Sequence, residues 1–280
     1  MSDILKDSLV DKIGFGGGKL SVMPTLQSAL NILEAAYQSG IRYYDTAPLY
    51  GGGYSEKIIG KFSKNKRNKI FIATKVGLNP AKEYTISPSI ALPLNYVKRK
   101  IKNTDYSTQS NDTPTVLPYR LITKEYIKTS FEKSLRNLQT DYIDYYLLHE
   151  ALPSFLDDGA IDYLAGLKND GYISKLGIAA SYINYFELDK NSLSLWDALQ
   201  YEYSSKGESN KLYAQFPDQE HTLHGILKNK KAPDAILPIQ SRAGYVLMDC
   251  LKKNIADRVL FSTSKLSNLN SNIQSLNLYS

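Results

Sequence analysis

The chain of 280 residues is 42% hydrophobic and 22% charged, a length and a balance typical of a globular protein with one large domain and a substantial core. Its formal net charge of +6 is compatible with nucleic-acid binding, but the densest basic cluster, residues 61–69, lacks interleaved aromatic residues and any binding module, so we exclude a nucleic-acid partner. The single cysteine, Cys250, excludes an intramolecular disulfide and a multi-cysteine metal site, and no apolar stretch approaches the roughly 20 residues that span a membrane.

Short apolar runs rich in β-branched and aromatic residues alternate with longer amphipathic stretches along the whole chain. Helical periodicity predicts helices over residues 28–37, from Ser55 onward with its hydroxyl as the cap, over 125–138 and over 161–170. Repeated strand–helix alternation is typical of a parallel sheet with helical crossovers, and eight units favour a single-domain (β/α)8 TIM barrel over residues 1–280. The strands are predicted at residues 13–15, 41–45, 70–74, 142–148, 175–179, 198–201, 219–223 and 259–262.

Residues 79–120 interrupt this alternation directly after the third strand. The stretch contains Pro80, Pro88, Pro93, Pro114 and Pro118, which predict a long irregular connection. Connections of this length inside compact domains are usually functional or disordered. In a barrel this connection lies on the catalytic face, so we expect a substrate-covering loop, and a disordered surface insertion is the alternative.

Chemically useful side chains stand where three of the predicted strands end. Asp45 ends the second strand and is followed by Tyr50, Lys75 follows the third strand, and His149 follows the fourth. The carboxyl ends of parallel strands lie at one edge of the sheet, so these side chains are expected to meet. A phenol with an ordinary pKa of about 10 is a weak acid at neutral pH. A nearby lysine held by a carboxylate would lower that pKa and make the phenol a proton donor.

The sequence around these residues resembles the aldo-keto reductase family. The resemblance rests on Asp45 and Tyr50 in YYDTAPLYGGGYSEKIIG, Lys75 in FIATKVG and His149 in DYIDYYLLHE, and it continues through GYISKLGIA and RVLFSTSKLSNLNSN. It implies that Tyr50 donates a proton to a carbonyl oxygen while Lys75 stabilises the developing phenolate. It also implies that Asp45 orients Lys75 and that His149 hydrogen-bonds the carbonyl oxygen. A nicotinamide cofactor would supply the hydride, because no side chain can.

The resemblance also implies that this cofactor lies across the barrel mouth, with its adenosine end after the last strand. Ser262, Ser264, Lys265 and Asn272 stand at the matching positions there. Lys265 can pair with a 2′-phosphate, which favours NADPH and leaves NAD as the alternative. On the sixth strand, Gln200 matches the glutamine that would face the nicotinamide carboxamide.

Two features depart from the usual cofactor pattern. The glycine-rich run at residues 14–18 does not read G-x-G-x-x-G. It has two interpretations: Gly17 contacts the cofactor together with Asp45, or the run forms a tight turn after the first strand. The family commonly has Ser-Asn after the fifth strand, whereas this chain has Ala179 and Ala180, so the polar contact is absent or shifted to Ser181. Residues 204–225 match poorly, and no residue is assigned to stack on the nicotinamide.

The resemblance therefore predicts NADPH-dependent reduction of an aldehyde or ketone, with a small polar carbonyl or sugar-like molecule as substrate. The alternatives are an NAD-dependent sugar or alcohol dehydrogenase that works oxidatively and a cofactor-binding regulatory barrel with little catalysis. A metal-dependent hydrolase is disfavoured because the chain has three histidines, of which His221 and His224 fall in a poorly assigned segment. We expect no metal.

The ends of the chain add three expectations. The first residues show no basic region followed by an apolar one, so we expect a cytoplasmic protein with no membrane partner. Little sequence follows Lys265, so we expect an open pocket that is closed mainly by residues 79–120. The oligomeric state is left open.

Overall fold

The computed structural model describes residues 9–80, 85–101, 121–186, 188–189, 193–229, 242–253 and 255–279. Eight strands in these residues pair in parallel and in chain order into one closed barrel, which confirms the predicted (β/α)8 fold. The strands are β1 (Ile13–Gly16), β2 (Tyr43–Asp45), β3 (Phe71–Val76), β4 (Ile143–His149), β5 (Ile173–Ala179), β6 (Ala198–Glu202), β7 (Glu220–His224) and β8 (Arg258–Phe261).

Helices follow the strands and surround the barrel. Short 3-10 helices cover Leu9–Lys12, Gly17–Val22, Arg67–Lys69 and Pro153–Phe155. The α-helices are α1 (Leu26–Gln38), α2 (Tyr54–Ser63), α3 (Pro88–Ile101), α4 (Lys124–Leu138), α5 (Asp158–Asn169), α6 (Tyr182–Tyr185), α7 (Glu208–Gln215), α8 (Ile226–Asn229), α9 (Arg242–Lys252) and α10 (Leu266–Tyr279). Within the described part of the chain, every helix is too short or too polar to cross a membrane.

Side chains alternate between the inside and the outside of the barrel, because successive residues of a strand point to opposite faces. Tyr44 belongs to the large apolar core between strands and helices, whereas Tyr43, Ala73 and Leu147 form part of a smaller cluster inside the barrel. Residues two positions later on the same strands therefore point inward at the carboxyl-terminal rim. These residues are Asp45, Lys75 and His149.

A buried carboxylate fixes β3 against the surrounding helices. Glu56, on α2, accepts hydrogen bonds from Thr74 Oγ1 at 2.7 Å and from Asn137 Nδ2 at 2.9 Å. Burial raises the pKa of the Glu56 carboxyl, which its hydrogen-bond donors partly oppose. Close packing of α2 on α4 requires Gly60, because a Cβ there would lie 2.4 Å from the carbonyl oxygen of Asn137. These contacts hold the strand segment that carries Lys75.

The chain after β3 differs from the irregular connection expected over residues 79–120. Residues 88–101 form α3, which begins at Pro88 and contains Pro93. Proline is favoured at the first position of a helix, where its missing N–H has no helical partner. Residues 81–84 and 102–120 lie outside the described residues, so a substrate-covering loop remains a prediction.

The expected serine cap of the second helix is wrong. Gly53 precedes α2 with a positive φ of 90°, and no side chain caps the helix. The Ser55 hydroxyl is fully buried and bonds Thr46 Oγ1 and the carbonyl oxygen of Gly17 instead. Ser55 therefore joins the ends of β1 and β2.

Candidate active site

A buried ion pair stands at the carboxyl-terminal rim of the barrel. The Lys75 ammonium donates to Asp45 Oδ1 at 2.6 Å and to the carbonyl oxygen of Thr46 at 2.8 Å. The two side chains are 1% and 4% exposed, so water screens their attraction little. Burial lowers the pKa of Lys75, but the adjacent Asp45 carboxylate and the Tyr50 phenol together outweigh it and hold that pKa above its ordinary value. Lys75 is therefore a fixed positive charge at neutral pH.

Tyr50 lies against this charge, on the turn that follows β2. The Lys75 nitrogen is 4.9 Å from the centroid of the Tyr50 ring. Burial raises the pKa of the Tyr50 phenol, and the positive charge of Lys75 lowers it only in part. The net rise differs from the lowering expected from the sequence, because burial disfavours the phenolate more than one ammonium compensates. Tyr50 consequently keeps its proton at neutral pH.

His149, the last residue of β4, completes the group. Its ring lies edge-to-face with Tyr50, with 6.0 Å between the ring centroids. Burial, together with the charge of Lys75, lowers the pKa of His149 well below its ordinary value, so the imidazole is neutral. Its Nδ1 is buried and has no hydrogen-bond partner in the described structure. The structure thus brings together all four side chains that the sequence singled out for chemistry.

A cavity of about 260 Å³ opens beside this group at the barrel mouth. Gln200 is 4% exposed, and its Oε1 is buried without a hydrogen-bond partner among the described residues. An unpaired buried amide oxygen is costly and suits a ligand that donates a hydrogen bond. The lining residues are Gly16, Gly18, Lys19, Asp45, Tyr50, Gln200, His224, Gly225, Ile226, Leu227, Lys228, Leu260, Phe261 and Ser262.

The glycine run contributes to this cavity differently from the prediction. Gly16 and Gly18 line it, whereas Gly17 does not. A Cβ on Gly17 would lie 2.4 Å from Ser55 Oγ and 3.0 Å from the carbonyl oxygen of Asp45. Close packing between β1, β2 and α2 therefore explains Gly17, so its contact with a cofactor stays a prediction.

Ser181 also lies apart from the cavity lining. Its hydroxyl donates to Glu202 Oε1 at 2.9 Å, and its N–H donates to Glu150 Oε2 at 3.2 Å. The hydroxyl is thus held by a carboxylate of the next strand. Beside it, Ala179 and Ala180 offer no polar side chain, and Gln200 stands opposite Ala179 on the neighbouring strand.

The residues predicted for an adenosine site gather around the start of α10. Ser262 lines the cavity and donates to the carbonyl oxygen of Gly16 at 2.8 Å. Ser264 is partly exposed, and the exposed Lys265 immediately precedes the helix, with its N–H bonded to Thr263 Oγ1. Asn272 lies about two turns further along α10 and is 5% exposed. Ser262 is the member of this group that lines the cavity, whereas Ser264 and Lys265 follow it along the chain outside the lining.

Three ionisable cavity residues were not predicted from the sequence. Lys19 and Lys228 are exposed, and they come from the connections after β1 and β7. His224 ends β7, and burial lowers the pKa of its imidazole, which the carboxylate of Asp45 partly opposes. Its place at a strand end, like that of His149, was the signal that could have identified it.

The other histidine of this segment has a structural role. His221 is fully buried, and its ring nitrogens bond the Tyr201 hydroxyl and the carbonyl oxygen of Phe216, each at 2.8 Å. Within the described residues, no cluster of three or more histidine, cysteine, aspartate or glutamate side chains is arranged to hold a metal ion.

Comparisons with curated proteins give several relatives. The chain is 32% identical over 168 residues to an uncharacterized oxidoreductase from Bacillus subtilis, covering 59% of this chain and 44% of that protein. It is 29% identical over 180 residues to a D-threo-aldose 1-dehydrogenase from a Pseudomonas species, covering 61% and 50% respectively. The chain thus spans about half the length of the curated relatives that it matches.

Solved structures and a family model agree with the barrel described above. A holo aldo-keto reductase from Bacillus halodurans superposes with a TM-score of 0.65 at 22% identity, covering 95% of this chain and 86% of that one. An aldo-keto reductase from Klebsiella pneumoniae in complex with NADPH gives a TM-score of 0.63 at 17% identity, covering 95% and 85%. At such identities the likeness shows the fold. The family model for the aldo/keto reductase family matches residues 12–216, which is more than half of the sequence, and the chain therefore belongs to this family.

Proposed function

We propose that the protein reduces an aldehyde or ketone to an alcohol with NADPH as the reductant. One observation carries the proposal: Tyr50 is a neutral, half-buried phenol that lines the cavity, with its ring centroid 4.9 Å from the ammonium of Lys75. A protonated tyrosine with an adjacent fixed cation is suited to proton donation, because the cation stabilises the phenolate that donation leaves behind.

The four side chains have separate roles in this reaction. Tyr50 donates its proton to the carbonyl oxygen and becomes a phenolate next to Lys75. Asp45 fixes the Lys75 ammonium through the 2.6 Å hydrogen bond and keeps it charged. His149 is neutral, so it contributes a hydrogen bond to the same carbonyl oxygen rather than a second charge.

The cavity has the groups that a nicotinamide dinucleotide requires. The orphaned Oε1 of Gln200 fits a carboxamide N–H, and Gly18 leaves open space where a side chain would stand. Lys19 and Lys228 fit an anionic diphosphate, and Ser262, Ser264 and Lys265 surround the site proposed for the adenosine end. When bound, the reduced nicotinamide supplies the hydride.

Lys265 supports NADPH as the preferred cofactor. It is exposed at the start of α10, where a lysine can neutralise a 2′-phosphate as a point charge. Lys265→Gln should then weaken binding of NADPH about tenfold and leave binding of NADH unchanged. Equal losses of affinity for NADPH and NADH would instead show that Lys265 contacts a group that both cofactors share.

A relative suggests one class of carbonyl substrate. A similar protein is named D-threo-aldose 1-dehydrogenase, so the substrate panel includes an aldose. The same name supports oxidation, which we assign to NAD, as the second candidate function. The raised pKa of Tyr50 favours reduction, because oxidation requires the phenolate form.

Steady-state assays test this proposal directly. The wild-type protein is incubated with NADPH or NADH and a panel of short aldehydes, ketones and aldoses, and loss of the reduced cofactor is followed. We expect turnover of at least one carbonyl compound with NADPH. Cofactor binding without turnover of any member, in either direction, would favour a regulatory barrel instead.

A further inference from the structure

Helix α3 exposes an apolar stripe along one side. Ile90, Leu94, Val97 and Ile101 have relative exposures of 58%, 52%, 53% and 78%. Their spacing of four, three and four residues places them on one helix face. Single exposed apolar residues are ordinary, but four in a row along a helix form a continuous patch.

The opposite side of α3 packs onto the protein. Ala91 and Leu92 are 5% and 0% exposed, and Arg99 donates to the carbonyl oxygen of Val22 at 2.8 Å. Val22 ends the 3-10 helix Gly17–Val22, which α3 contacts. The helix is therefore held by one face while the stripe points away from the barrel.

Positive charges flank the stripe on both sides. At 100° per residue, Lys98 and Lys100 stand roughly 70° and 90° to either side of the stripe centre. Both lysines are exposed, and the helix sequence contains no acidic residue. The exposed surface of α3 thus combines a row of apolar side chains with cations at its edges.

We propose that this face of α3 binds the surface of an anionic lipid bilayer. The four apolar side chains would enter the boundary between headgroups and acyl chains, and the lysine stems would extend their ammonium groups to the anionic headgroups. Binding of this kind needs no spanning segment, and it replaces the sequence-based expectation that the protein has no membrane partner. It is also independent of the proposed reduction.

A second copy of the chain fits this face less well. Pairing two α3 helices would cover only one short row of side chains, whereas a stable interface buries about 800 Å² on each partner. The partner would also bring an identical set of positive charges and no acidic residue on α3 to meet them. An anionic surface complements both features of the stripe.

The position of α3 relates this surface to the candidate active site. The 3-10 helix on which α3 rests contains Gly18 and Lys19, and both line the cavity at the barrel mouth. Docking through the stripe would consequently place α3 between the lipid headgroups and this side of the cavity.

Vesicle co-sedimentation of the full chain tests the proposal without an activity measurement. Phosphatidylcholine vesicles with and without phosphatidylserine are compared at low and high salt. We expect binding to the anionic vesicles, weaker binding at high salt, and little binding to phosphatidylcholine alone. Wild-type protein that stays in solution with the anionic vesicles at low salt would overturn the proposal.

Two double variants identify the surface involved. Leu94→Ser with Val97→Ser should lower partitioning about tenfold or more, and Lys98→Gln with Lys100→Gln should lower it roughly fivefold for each lysine. The matched control is Ile183→Ser, which removes an apolar side chain of 59% exposure on α6 and should leave binding unchanged. All variants should keep the wild-type thermal midpoint, because the altered side chains are exposed.

Other outcomes would refute this assignment. Equal binding of the stripe variants and the control would place the membrane contact elsewhere on the protein. A concentration-dependent dimer in sedimentation velocity, dissociated by Leu94→Ser with Val97→Ser, would identify the stripe as an interface between copies. Neither result depends on whether the protein reduces carbonyl compounds.

Discussion

Replacing Asp45 by asparagine isolates the contribution of the buried ion pair at the barrel rim. Asparagine keeps the shape of the side chain but removes the negative charge that lies 2.6 Å from the Lys75 ammonium. The two side chains are 4% and 1% exposed, so water cannot replace the lost partner. Breaking a buried pair in this way typically costs about 3–5 kcal/mol, because an uncompensated charge remains. We expect a loss of that size in the free energy of unfolding at neutral pH.

The dependence of this loss on pH follows from the pKa of Lys75. In the wild-type protein that pKa lies above its ordinary value of 10.5, so the pair stabilises the fold fully below pH 10.5 and loses its effect as pH rises through the folded-state pKa. In Asp45→Asn the carboxylate no longer raises the pKa of Lys75, while burial still lowers it. The variant can then release the proton at lower pH, and the difference between the two proteins should narrow as pH rises above neutral.

Urea unfolding followed by the fluorescence of Trp196 measures this difference at neutral and alkaline pH. The control is Glu34→Gln, which breaks the 2.8 Å pair with Lys66, whose side chains are 44% and 20% exposed. Such a partly exposed pair contributes about 1 kcal/mol or less. A cost for Asp45→Asn no larger than that of the control, or a difference that widens with pH, would refute the buried pair.

Three further results are expected. The rate of reduction should stay level through neutral pH and fall only at alkaline pH, because reduction needs the Tyr50 proton and the pKa of Tyr50 is raised. The rate of oxidation should increase as pH rises, and kcat measured against pH in both directions checks both trends. Glu56→Ala should lower the free energy of unfolding by about 3 kcal/mol in denaturant titrations, because it leaves a cavity, an unpaired buried Thr74 hydroxyl and an unpaired, partly buried Asn137 amide. Gly60→Ala should destabilise by about 1–3 kcal/mol through its clash with α4, whereas Gly166→Ala, which has open space around it, should stabilise slightly in the same titrations.

The barrel was predictable because its strands are buried on both faces. Parallel strands in such a position form short continuous apolar runs, which stand out from the amphipathic helices between them. Helix α3 was missed because Pro88 and Pro93 were interpreted as breaks. Pro88 occupies the first helical position, where proline is favoured. Pro93 lies inside the helix, which loses one backbone hydrogen bond there because proline has no N–H.

The candidate site was predictable only where it lies on strand ends. Side chains alternate between the two faces of a strand, so the direction of a residue near a strand end can be derived from its position. This alternation points Asp45, Lys75 and His149 into the barrel. Lys19 and Lys228 lie in the connections after β1 and β7. These connections meet at one cavity because the barrel closes, and the local sequence does not indicate which connections will meet. His224 fell one residue beyond the predicted seventh strand, although the observed strand ends with it.

Comparing turnover with cofactor binding in Tyr50→Phe tests the central proposal most directly. The substitution removes only the hydroxyl that would donate the proton and leaves a ring of the same shape beside Lys75 and His149. We predict that carbonyl reduction falls by about a hundredfold to ten-thousandfold, the usual contribution of a positioned general acid, while the dissociation constant for NADPH changes little. Wild-type turnover by Tyr50→Phe would contradict the assignment of Tyr50 as the proton donor.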